Sequence, residues 1–142
     1  MTTERIPALF LATAAACLVA GVCLGIGMGI AKDFQLAPVH AHVNLVGWTS
    51  LSVMGLVYRA FAEMLARRVL AWVQFALSAG SALVFPFGIW LAIAHEQPAV
   101  AIGAALCWLA GALLFLGQLL VLAFRGGEAR SVPHHATMMA AE

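Results

Sequence analysis

HAHVNLVGW, residues 40–48, opens the second of four long apolar runs and carries His40, His42 and Asn44 within five positions. Polar side chains inside a stretch that crosses hydrocarbon are costly and usually serve a function. The question is therefore whether the run around them is a membrane span.

Working outward, the apolar run covers residues 39–61, and three others cover 7–30, 69–94 and 99–124. Each reaches the roughly 20 residues that a helix needs to cross a bilayer. In lipid the backbone must satisfy its own polar groups, so helices are the form expected. Alternation with period two, the mark of a membrane barrel, is absent. Composition agrees: the 142 residues are 64% hydrophobic and 9% charged, against about 25% charged in a soluble domain. A net charge of +1 offers nothing to nucleic acid. The first run follows Arg5 and has small residues at 14–16, like a signal peptide. It continues to Ile30, well past the usual signal core, and is read as a retained helix.

The links between runs are short: AKDFQLAP (residues 31–38), 62–68, and HEQP (95–98). Short links make neighbouring helices antiparallel. Pro38 and Pro98 suit the first turns of the second and fourth helices, where a missing N–H costs nothing. Arg5, Arg59, Arg67, Arg68, Arg125 and Arg130 fall on one side, and Lys32 alone on the other. The positive-inside rule then puts both termini and the middle link in the cytoplasm. His40, His42 and His95 fall at the outer face, which in a bacterial inner membrane is the periplasmic side. The expected fold is an all-α, antiparallel four-helix bundle in the membrane (residues 1–125), followed by a polar tail (126–142) that holds His134 and His135 in a disordered, solvated end.

Small residues line every run. Gly21, Gly25 and Gly29 repeat at intervals of four and allow a backbone to approach closely, here as a candidate contact between copies of the chain. Pro86 is expected to kink the third helix. Trp48 and Trp108 read as packing residues, and Gln74 and Gln118 as interhelical hydrogen-bonding groups. Cys17, Cys23 and Cys107 read as buried free thiols.

The histidines carry the functional question. Two residues apart on an α-helix, His40 and His42 point about 200° apart. They cannot grip one small ion together; each must look to its own partner. Asn44, Gly47 and Leu51 continue the face of His40, and Leu45, Val46 and Thr49 that of His42. The plain alternative is a pair of interfacial histidines wetted by headgroups. Against it, imidazole is the commonest metal ligand and a preferred axial ligand of haem iron. His95, beside Glu96 at the end of the third run, reads either as a loop residue or as a further group at the same site. No phosphate loop, Ser/His/Asp set or zinc-binding Cys/His pattern competes.

HAHVNLVGWTSLSVMGLVYR, residues 40–59, resembles helices of the catalytic subunit of the haem–copper oxidase and nitric oxide reductase superfamily, and most of all its short, stand-alone four-helix relatives. Beyond these residues the likeness is one of helix number and hydrophobicity. That subunit builds twelve helices as three arcs of four, and in one arc an H-x-H pair holds two haems on opposite faces of one helix. The resemblance implies that this chain forms a single arc and that three copies rebuild the ring. His40 of one copy and His42 of the next would clamp one b-type haem iron, with Asn44 and Trp48 in support. The pattern also departs from those oxidases. The one tyrosine, Tyr58, lies at the far end of its run, His134 and His135 lie in no span, and charged residues fall only at ends and links. An electron carrier serving a membrane or periplasmic redox partner is thus expected, rather than a complete oxygen or nitric oxide reductase. Two alternatives stand beside it. One is a copper- or haem-handling assembly factor using His40, His42 and His95; the other is an interaction subunit without a cofactor.

Overall fold

The computed structural model describes residues 5–128, with side chains through residue 124. Every regular element among them is helical: α1 (Ile6–Ala31), α2 (Ala37–His42), a π-helical segment (Val43–Ser50), α3 (Leu51–Ala60), a 3-10 turn (Ala62–Leu65), α4 (Arg68–His95) and α5 (Ala99–Glu128). Three of these stretches, Ile6–Ala31, Arg68–His95 and Ala99–Phe124, are long and apolar enough to cross a membrane.

The ends of these helices follow from local chemistry. α1 begins with a proline in its first turn and stops at Lys32, whose left-handed backbone (φ 52°) lets its N–H reach the Met28 carbonyl. α4 stops in the same way at Glu96 (φ 55°), whose N–H bonds back to Leu91. A left-handed residue after the last turn supplies partners for carbonyls that the helix leaves bare. Between α1 and α2 the Asp33 carboxylate accepts the Gln35 N–H at 3.0 Å, tightening the turn. Pro38 lies in the first turn of α2, as its missing donor suggests. Pro98 precedes α5, and its carbonyl accepts the Ile102 N–H at 2.9 Å. Pro86 lies within α4, which runs through it as one element.

The second apolar run is helical from residue 37 to 60, but it is not a regular α-helix. Over Val43–Ser50 the ladder widens to i→i+5. Side chains take up carbonyls along this wider stretch. Asn44 Nδ2 donates to the His40 carbonyl at 2.8 Å, and Ser50 Oγ to Leu45, five residues back, at 2.8 Å. Hydrophobic periodicity cannot reveal such a turn, because it alters pitch without altering composition.

In lipid, where the surroundings are as apolar as leucine, packing and polar contacts hold helices together. At one end of the molecule Phe10 stacks on Tyr58 (centroids 5.7 Å, planes 16° apart) and meets Phe75 edge-on at 5.0 Å. Tyr58 is fully buried, and its hydroxyl donates to Gln118 Oε1 at 3.1 Å, joining α3 to α5. Gln74, also fully buried, donates to Ser78 Oγ at 2.8 Å and reaches Met54 Sδ on α3 at 3.8 Å. α4 and α5 touch backbone to backbone: a Cβ on Gly88 would lie 2.6 Å from the Ala101 nitrogen.

Three expectations need correction. Of the three cysteines only Cys17 is buried, while Cys23 and Cys107 are exposed on the chain's outer surface. The Gly21/Gly25/Gly29 face does not look outward as a unit. Gly21 and Gly25 lie against Asn44 and His40 of the same chain, while a Cβ on Gly29 meets nothing within 4 Å. The fourth helix also runs on through Glu128, three residues into the expected tail. His134 and His135 lie outside the described residues.

Candidate functional site

His40 and His42 stand at the start of the second helical run, at the end of the molecule where α1 finishes. α1 and α4 flank them. Gly21, Gly25 and Cys17 line the α1 surface, and they meet Asn44, His40 and Gly47 respectively. These are pairs of small groups with polar or bulky ones. The absence of a side chain at Gly25 makes room for the His40 ring, whose Cε1 would lie 2.9 Å from a Cβ placed there. His42 looks the other way, meeting Phe85 of α4 edge-on at 4.9 Å. The two imidazoles thus address different neighbouring helices.

Each ring has one nitrogen engaged. His40 Nδ1 lies 2.9 Å from the Gly21 carbonyl, across the interface with α1. His42 Nδ1 lies 2.7 Å from the Pro38 carbonyl, one turn back on its own helix. A carbonyl can only accept, so each ring carries a proton on Nδ1, and in its neutral form presents Nε2 as a lone-pair donor. This is the tautomer in which a histidine binds a metal through Nε2 while its other nitrogen is held. Neither Nε2 is sealed off: among the described residues, the buried polar side-chain atoms without a partner are Ser52 Oγ and Gln74 Oε1.

The supporting residues differ from those suggested by the sequence. The ring nitrogens are held by two backbone carbonyls. Asn44 acts one step away, through the carbonyl of His40. Trp48 lies in the π segment and packs against the main hydrophobic core, which includes Leu51, Ala79 and Ala82. His95 ends α4 and meets Trp90 of its own helix edge-on at 5.4 Å. Among the described residues no three His, Cys, Asp or Glu side chains gather in one place. His40, His42 and His95 therefore do not form a three-ligand centre within one chain. Gly25 and the Gly21 and Pro38 carbonyls are the additions to the site. Helix spacing singled out the glycines, but the partner of that face depends on how the helices pack.

The role of Gly25 is testable without any ligand. In Gly25→Ala the new methyl must displace the His40 ring and break its bond to Gly21. The expected cost is about 1–3 kcal/mol in unfolding free energy. Gly29→Ala, with open space around it, should be neutral or slightly stabilising. Equal stability of the two variants in detergent melts would mean that the ring does not lie on Gly25.

No family model, characterised protein or solved structure matches the chain.

Proposed function

We propose that this chain is a membrane b-type haem protein in which His40 and His42 are axial ligands through Nε2, and that its role is electron transfer. The observation that carries the proposal is the matched state of the two rings. Both have Nδ1 against a carbonyl, both keep Nε2 as a donor, and they face different helices. Interfacial histidines wetted by headgroups have no need of that match.

Two ligands on opposite faces of one helix cannot meet at a single iron, so the second ligand comes from another copy. A closed ring of three copies satisfies every site. In it the four helical segments form an antiparallel bundle resembling one arc of the haem–copper oxidase catalytic subunit. Both termini lie in the cytoplasm, because six arginines on that side face a single lysine on the other. That orientation places the histidines at the periplasmic face of a bacterial inner membrane.

Bound there, haem supplies one-electron chemistry. The chain's own residues do the rest. Gly21 and Pro38 fix the tautomers, Gly25 and Phe85 set the ring planes, and the apolar surroundings limit water. With His40 and His42 as its two ligands, a haem held there would have no position open to oxygen or nitric oxide, which favours an electron carrier over a gas reductase.

A visible spectrum of the purified full chain, with haem and oligomer mass measured on the same sample, tests this. A Soret band that shifts on reduction, one haem per chain and a trimer mass are expected. A colourless protein that binds copper would favour metal handling. A protein with neither would leave an interaction subunit.

A further inference from the structure

At the opposite end of the molecule a cleft of about 390 Å³ opens between residues 63–70 and α5. This lies within the roughly 300–1,000 Å³ typical of ligand sites. Its walls are apolar, chiefly Met64, Leu70, Leu113 and Val121, and Gly117 leaves part of it open, since a Cβ there would meet nothing within 4 Å. Three polar groups reach it: Glu63, Arg67 and Gln118. Tyr58 donates to Gln118 Oε1 and so fixes the amide, turning Nε2 away from Tyr58. That nitrogen has one long contact, 3.5 Å to the Leu114 carbonyl, and keeps donor capacity to spare. The cleft thus pairs an apolar trough with an oriented amide donor and a guanidinium at its rim. α4 also begins there without a side-chain cap, adding a positive end to the same rim.

We propose that this cleft binds an anionic phospholipid, with its phosphate at Arg67, an ester carbonyl at Gln118 Nε2 and an acyl chain along Leu113, Gly117 and Val121. Charge complementarity selects this occupant. Arg67 and the uncapped start of α4 bring positive charge to the rim, and Glu63 is the one carboxylate in the lining. A redox-active quinone would meet the same amide but fits the molecule poorly. From His42 to Tyr58 is sixteen residues of helix, roughly 20–25 Å, which is a long way from the histidine end. The lipid site is independent of any haem.

The test uses the full chain, stripped of lipid in detergent and titrated with phosphatidylglycerol or phosphatidylcholine, with bound lipid counted by native mass spectrometry. One phosphatidylglycerol per chain should bind in preference to phosphatidylcholine. Arg67→Gln should weaken phosphatidylglycerol binding about fivefold or more and narrow its preference over phosphatidylcholine. Gly117→Leu should fill the trough and abolish both, and because the space around Gly117 is open the helix should fold normally. Equal affinity for the two lipids, or undiminished phosphatidylglycerol on Gly117→Leu, overturns the proposal. So does a quinone recovered in place of the lipid. A severalfold rise in lipid affinity on deleting residues 129–142 overturns it too, by making that segment the occupant.

Discussion

His40→Ala and His42→Ala are each expected to purify with haem content reduced more than about tenfold, since either change removes one axial ligand from every site in the ring. The sharper result comes from mixing them. When the two variants are expressed together, a copy keeping His40 will sometimes stand beside a copy keeping His42. With random assembly into a closed ring, about one junction in four is intact. The co-expressed preparation should therefore recover about a quarter of the wild-type haem, although neither variant holds a full site alone. If each imidazole held a haem of its own, each single variant would retain about half and mixing would add nothing. Full haem in both single variants would remove the axial assignment altogether. Because the rings are anchored on backbone carbonyls, alanine at either position leaves no charged group stranded, and the folded chain should survive for the measurement.

Gly88→Ala should be the most damaging small substitution in the chain. Its methyl would meet the Ala101 nitrogen at 2.6 Å, the Ala101 Cα at 2.8 Å and the Val100 carbonyl carbon at 2.9 Å. These are all backbone atoms, so no rotamer change can relieve the overlap and α4 must separate from α5. The expected loss is about 3 kcal/mol, at the upper end of overpacking costs. Gly103→Ala is the matched control: a Cβ there meets nothing within 4 Å. Replacing a helical glycine by alanine in open space should stabilise by about 0.5–1 kcal/mol. Unfolding of both variants in the same detergent decides the matter. A Gly88→Ala protein as stable as wild type would mean that the two helices do not touch there.

The contrast between these glycines marks what could be read in advance. Run lengths and hydropathy located the apolar helices to within a residue or two at the ends of α1 and α4, because bilayer thickness and helix rise leave little freedom. The opposed directions of His40 and His42 followed from their spacing. The sequence could not say which carbonyl each ring would find, because Gly21 is nineteen residues from His40 and comes near it only through packing. Gly88 stood in no repeating motif and carried no warning, whereas Gly29, which completed one, touches nothing. Spacing on one helix identifies which residues share a face. It does not identify what that face will meet.

The widened stretch from Val43 to Ser50 separates the two imidazoles from the aromatic end of the same rod. It acts as a phase shifter. Each residue of an ordinary helix turns the chain by about 100°, and a wide turn accommodates one more residue than its length would otherwise hold. Losing a single residue there would let the rod rewind to normal pitch. Tyr58 and Gly55 would keep their grip on α1 and the imidazoles their bearings, whereas the same number of residues wound as an ordinary helix would turn both imidazoles by about 100°. The compass setting of the histidine end is thus stored in one loosened coil, and not in the histidines themselves.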